Sequence, residues 1–316
     1  MADIAAALAA GVVVLDGGLA TELEHAGFDL SGRLWSAELL SSRPEAIVTA
    51  HRAYLDAGAQ VVTTASYQAS AAGFATVGID ADGTAELLRR SVRLAQQAVT
   101  ESRDAGSGAG QAWVAASVGP YGAVLANGSE YTGSYADPSR PGSLDVEALR
   151  AFHRPRLEVL AAAGADVLAL ETVPCLREAE ALLAEVDRLQ VPAWLSLTTV
   201  TGDDGVVRTR CGELAAEAYA MAADVRWVVA VGANCTTPTG VGAAVADAAD
   251  NSGLPVVVYP NSGETWDGYA RRWRGTAALD AADVTDWIAA GARLVGGCCR
   301  LGPAEIAQLA ALVTPA

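Results

Sequence analysis

Basic residues are scarce in this chain: 21 Lys and Arg stand against 37 Asp and Glu, giving a formal net charge of −16. The deficit argues against nonspecific nucleic-acid binding and against docking on an anionic membrane, because both need cations to neutralise phosphates. A cationic or zwitterionic small molecule fits better. Long apolar runs are also missing, and none reaches the ~18 residues needed to span a bilayer. The Ala-rich stretch 5–15 lacks a basic flank and meets Asp16 at once, so it does not read as a secretion signal. Cysteines number five, without the regular spacing of a disulfide framework, which points to a reducing, cytoplasmic compartment. No G-x-G-x-x-G follows the first apolar run, which argues against an open dinucleotide-binding sheet. No linker or low-complexity tract divides the chain, so residues 1–316 read as one domain.

Hydrophobic residues make up 52% of the sequence and charged residues 18%, a composition that can bury a large core. Short apolar runs at 12–15, 61–64, 113–117, 167–170, 194–198, 227–231, 256–259 and 293–295 alternate with helix-length Ala/Leu/Glu segments. Near-continuous apolar runs suit strands buried on both faces of a parallel sheet, with the intervening helices as crossovers. Ala57-Gly58-Ala59, Ala163-Gly164-Ala165 and Ala290-Gly291-Ala292 repeat one pattern between a helical segment and a strand, where Gly closes the helix. Pro44, Pro238 and Pro303 fall where helices should begin. Eight such units predict an α/β chain folded as a (β/α)8 barrel, whose chemistry gathers where the strands end. The longer segments 119–142 and 262–278 are expected to be loops over that mouth.

The final strand runs into Gly296-Gly297-Cys298-Cys299. Adjacent strand residues face opposite sides, so both thiols can serve one target only if the backbone leaves regular β geometry, which the glycines are expected to make easy. A similar strand ends in Asn234-Cys235. Three thiols at strand ends suit a catalytic zinc, which takes three protein ligands and keeps a fourth position open. The alternatives are buried cysteines acting as small hydrophobes or a strained disulfide between neighbours. Cys175 reads as a spare thiol near the mouth and Cys211 as incidental, at the start of a helix. Asp16 and Glu171 follow strands one and four, where acids face the active-site mouth and could act as acid and base or bind an ammonium group. Residues 64–68, with Ser66 and Tyr67, and residues 259–266 bring hydroxyl, phenol and amide groups suited to a small polar ligand. His25, His51 and His153 lie within helical segments and are expected to be structural or superficial.

Asp16-Gly17-Gly18 with Glu22-Leu23, Ala65-Ser66-Tyr67-Gln68-Ala69, Glu171-Thr172, Gly232-Ala233-Asn234-Cys235 and Gly296-Gly297-Cys298-Cys299 together resemble the zinc-dependent homocysteine S-methyltransferase family. The ordered pair of cysteine motifs is the specific part. Residues 119–122 with 128–133, and residues 259–264, resemble the branch that uses S-methylmethionine or S-adenosylmethionine, although Asn127 replaces the Asp of the familiar motif. The resemblance implies zinc on Cys235, Cys298 and Cys299, homocysteine as methyl acceptor, and Asp16 and Glu171 on its ammonium group. Gly17, Ser66, Asn234 and Glu130 join them as expected substrate contacts, and Trp35, Tyr67 and Tyr131 are expected to face a sulfonium by cation–π attraction. Other readings of the same residues are a betaine-type methyltransferase, a zinc hydrolase and a noncatalytic zinc or thiol sensor. The sequence carries no reading of the oligomeric state.

Overall fold

The computed structural model describes residues 3–32, 34–107, 110–267, 272–275 and 279–313, with the side chains of residues 265–273 left out. Twelve strands are found there in chain order: β1 (Val13–Val14), β2 (Val61–Thr63), β3 (Trp113–Val118), β4 (Val167–Val173), β5 (Ala193–Leu197), β6 (Thr199–Thr201), β7 (Val207–Thr209), β8 (Val228–Asn234), β9 (Val256–Tyr259), β10 (Thr265–Asp267), β11 (Arg272–Arg274) and β12 (Ala292–Val295). Eight of them form one parallel sheet in the order β1-β12-β9-β8-β5-β4-β3-β2. A parallel bridge between Leu15 and Val61 joins the two ends of that order. The result is the expected (β/α)8 barrel.

The apolar runs become strands because both their faces are covered. Along β1 and its extension Val13 and Leu15 point into the barrel while Val14 meets the helices; Trp113 and Ala115 alternate in the same way with Val114 and Ala116, and Val167 and Ala169 with Leu168 and Leu170. The helix Ile4–Ala10 sends Ile4 and Leu8 into this interior cluster, so the Ala-rich N-terminal stretch serves as a plug for the barrel. Burying these side chains is worth roughly 1.5–3 kcal/mol each. The helices Pro44–Asp56, Pro238–Ser252 and Pro303–Val313 each begin at the proline that announced them. Gly58, Gly164 and Gly291 all take left-handed backbone angles behind their helices. No described helix is long and apolar enough to cross a membrane.

Two hairpins depart from the expected pattern. β6 and β7 pair antiparallel around Gly202–Gly205, directly after barrel strand β5. β10 and β11 do the same within 262–278, a segment expected to be loop; the side chain of Trp266 lies outside the described residues. The segment 119–142 holds a short helix, Tyr121–Leu125, and a single 3-10 turn, Ser129–Tyr131. Cys211 lies in the turn after β7, and the next helix begins only at Ala215, which corrects its placement at a helix start.

Candidate active site

The three mouth cysteines converge. Cys235 follows β8 in a left-handed conformation, φ 48°, and its N–H donates to the carbonyl of Tyr259 at 3.2 Å. The Cys298 N–H donates to the Pro260 carbonyl at 2.8 Å, and the Cys299 N–H donates to Asn261 Oδ1 at 3.3 Å. The end of β9 and the two residues after it thereby hold the backbone at all three cysteines. Their sulfurs all lie within 4.8 Å of one another, and no disulfide forms among them. Hydrogen bonds with Cys235 and Cys298 hold the Cys299 thiol well below its ordinary pKa, while bonds to Cys235 and Cys299 push the Cys298 thiol up.

The glycines before the pair act differently from what the sequence suggests. Neither Gly296 nor Gly297 has a positive φ. What they provide is room: a Cβ on Gly296 would lie 2.6 Å from the Asp16 carbonyl, and one on Gly297 would lie 2.6 Å from Leu301 Cβ. Backbone strain sits elsewhere. Six described non-glycine residues have positive φ, and four of them, Trp35, Thr172, Cys235 and Arg300, line the cavity around the thiols. Strain of this kind persists only where surrounding contacts enforce it.

That cavity encloses about 680 Å³ and opens at the carboxyl ends of the strands. Two buried carboxylates line the same cavity. Asp16 accepts the Thr63 N–H at 2.7 Å and the Thr63 hydroxyl at 3.0 Å, and burial pushes its pKa well above the usual carboxylate range. Glu171, on β4, accepts the hydroxyl of Ser117 at one oxygen and that of Tyr259 at the other, the latter at 3.0 Å. Burial raises the Glu171 pKa to about 7 against the lowering effect of those two donors. Nothing local in the sequence marks Thr63, Ser117 and Tyr259 as carboxylate partners, although each stands near the end of a barrel strand.

Gly17, Trp35, Tyr67, Glu130, Tyr131 and Asn234 also line the cavity. Trp35 and Tyr67 meet edge to face, with centroids 6.3 Å apart. The Tyr131 hydroxyl hydrogen-bonds the Cys299 sulfur. Glu130 keeps one carboxylate oxygen buried without a partner, and burial raises its pKa. Ser66 differs from expectation: it is fully buried, donates to the Ser117 carbonyl at 2.7 Å and lies behind the wall, so it braces the site and does not face it. Asn234 turns both polar atoms to Thr172.

None of the three histidines lines the cavity. His51 is buried without a hydrogen-bond partner, and burial lowers its pKa to about 4. His153 is buried between Glu178 and Arg156. Cys175 and Cys211 lie outside the cavity lining but hydrogen-bond each other, and the Cys211 thiol reaches the Thr132 carbonyl at 3.5 Å. This contact ties them to the loop that carries Glu130 and Tyr131.

A strand-end cavity lined by three thiols close enough to hold a metal ion and by two buried carboxylates fits a (β/α)8 enzyme with a metal-binding site. Comparison with known proteins narrows that class. Residues 13–313 match the family model described as homocysteine S-methyltransferase. Homocysteine S-methyltransferase 4 of Zea mays is 43% identical over 98% of this chain and 91% of its own length. The homocysteine S-methyltransferase of Escherichia coli is 44% identical over 95% and 94%. The metallated form of the E. coli homocysteine methyltransferase MmuM superposes with a TM-score of 0.83 at 42% identity, covering 95% of this chain and 96% of that one. The chain belongs to the homocysteine S-methyltransferase family. It is a methyltransferase, and its acceptor is homocysteine.

Proposed function

We propose that Cys235, Cys298 and Cys299 hold zinc, and that the cavity transfers a methyl group from an amino-acid sulfonium to homocysteine, giving methionine. The observation that carries this reading is that the thiol trio shares one cavity with Asp16, Glu171, Trp35, Tyr67 and Tyr131. The donor set fits zinc: three soft sulfurs are grouped on one side of an open cavity, with no fourth protein ligand among the described residues. Zinc, when bound, supplies a positive centre on which the homocysteine thiol is held as thiolate, the nucleophilic form.

The remaining tasks fall to the chain's own side chains. Asp16 and Glu171 bind the homocysteine ammonium group; a cation beside Glu171 favours its ionised form over the proton it otherwise retains near neutrality. Thr63, Ser117 and Tyr259 hold the two carboxylates in place before substrate arrives. The aromatic wall suits the sulfonium through cation–π attraction, and Glu130 offers its unpaired oxygen to the donor's ammonium group. Methyl transfer from a sulfonium leaves a neutral thioether, so no general acid is required. Orientation of acceptor and donor in line is the main contribution, and ideal alignment is worth up to ~7–11 kcal/mol.

Glu130 and the neighbouring hydroxyls favour a methionine-like end on the donor. S-methylmethionine is therefore the preferred donor, S-adenosylmethionine is accepted if the mouth admits its adenosine, and betaine is excluded. The free cysteines fit a reducing cytoplasm. Mass-spectrometric detection of methionine from homocysteine, run in parallel with S-methylmethionine, S-adenosylmethionine and betaine, tests the reading. Faster turnover with betaine overturns the donor assignment.

A further inference from the structure

Arg210 follows the β6–β7 hairpin and reaches back to the site. Its Nε donates to Thr198 Oγ1 at 3.2 Å, and that hydroxyl in turn donates to the Cys235 carbonyl at 3.4 Å. The guanidinium carbon stands 5.9 Å from the centroid of the Tyr131 ring, which lines the cavity and bonds the Cys299 sulfur. Arg210 is thus fixed beside Tyr131, next to the residues that line the cavity and not among them. Arg300, which lines the cavity itself, is paired with Glu264 at 3.1 Å. No such pairing occupies Arg210: it forms no ion pair with any described residue, in a chain whose acids outnumber its basic residues 37 to 21.

A partly desolvated guanidinium without a carboxylate of its own is suited to an anion arriving with a ligand, and its planar fork matches a carboxylate. Acceptor and donor both carry one. The acceptor's ammonium partners, Asp16 and Glu171, stand at the ends of β1 and β4, whereas Arg210 touches Tyr131, the neighbour of Glu130. The geometry points to Arg210 as the residue that binds the α-carboxylate of the methyl donor, with Glu130 taking the ammonium group of the same molecule. The donor's zwitterionic end then straddles Tyr131, and its sulfonium is directed toward the thiols. Donors without an α-carboxylate lose this contact, so Arg210 determines donor specificity. The inference rests on the proposed use of an amino-acid sulfonium.

The test compares the metal-loaded wild type with Arg210→Ala and Arg210→Lys, using S-methylmethionine and its carboxamide, which keeps the sulfonium and the ammonium group. Arg210→Ala is expected to lower kcat/KM for S-methylmethionine by about 10- to 100-fold, the worth of a hydrogen-bonded charge contact. Its activity on the carboxamide and its KM for homocysteine should match wild type, and Arg210→Lys should recover part of the loss. An equal fall on both donors overturns the assignment and leaves Arg210 as a brace for Tyr131. Unchanged donor kinetics, or a rise in homocysteine KM instead, also overturns it. A wild type that turns over neither sulfonium, by contrast, brings down the donor reading itself.

Discussion

Asn234 clasps Thr172: its Oδ1 accepts the Thr172 N–H at 2.7 Å, and its Nδ2 donates to Thr172 Oγ1 at 2.8 Å. Thr172 is held by this clasp at φ 60°, directly after Glu171, while Asn234 directly precedes Cys235. One side chain therefore couples Glu171, proposed to bind the acceptor, to Cys235, proposed to hold the metal. Asn234→Ala is expected to weaken both metal retention and homocysteine binding by about 10- to 100-fold, as outer-shell changes do. Metal content after dialysis and calorimetric homocysteine titration measure the two effects. Loss of neither shows that the clasp is dispensable.

The thiols themselves give a sharper contrast. Each of Cys235, Cys298 and Cys299 offers a ligand atom to the proposed zinc, so Cys298→Ala should lose bound zinc and turnover together. Cys211 lies outside the cavity lining, and Cys211→Ala should keep both. Elemental analysis of the purified variants decides, and full activity in Cys298→Ala contradicts the metal assignment.

The carboxylates are tested with shape-conserving changes. Asp16→Asn and Glu171→Gln each remove a charge that would face the homocysteine ammonium group, at a cost of ~2–5 kcal/mol in affinity when one partner of a buried pair is lost. Metal content should not change, because neither group is a ligand. Normal homocysteine binding in both variants would place the ammonium elsewhere.

A pH dependence follows from Glu171, whose pKa burial raises to about 7. Below that value the group carries a proton and loses its charge, so affinity for an ammonium group falls as pH drops from 8 to 6. L-Homoserine keeps the amino-acid end of homocysteine and lacks the thiol, which removes thiol titration from the measurement. Its affinity should decline through an apparent pKa near 7, and Glu171→Gln should flatten the profile. An unchanged profile in that variant assigns the titration to another group.

Glu130→Gln addresses the donor. Glu130 lines the cavity, with one carboxylate oxygen buried and unpaired; if it meets the donor's ammonium group as proposed, the variant should raise the KM for S-methylmethionine while leaving homocysteine affinity intact. If Glu130 is only structural, melting temperature changes and donor kinetics do not.

Much of the barrel was legible in the chain because a strand buried on both faces needs a continuous apolar run, and eight such runs recur between helices closed by Gly58, Gly164, Gly291 and their counterparts. Glu171 was legible too: it continues the inward alternation of Val167 and Ala169 along β4. Asp16 and Cys235 were legible only as residues at strand ends. Asp16 follows the inward Leu15 and would point away if alternation continued; its bonds to Thr63 on the neighbouring strand bring it into the cavity. Cys235 depends on a left-handed turn that the Asn234 and Tyr259 contacts enforce. The burial of Ser66 behind the cavity wall, the steric need for Gly296 and Gly297, the contact of Cys175 with Cys211 and the approach of Arg210 to Tyr131 have the same origin. Each joins residues far apart in sequence, and local propensity carries no information about which strand ends a closed barrel will bring together.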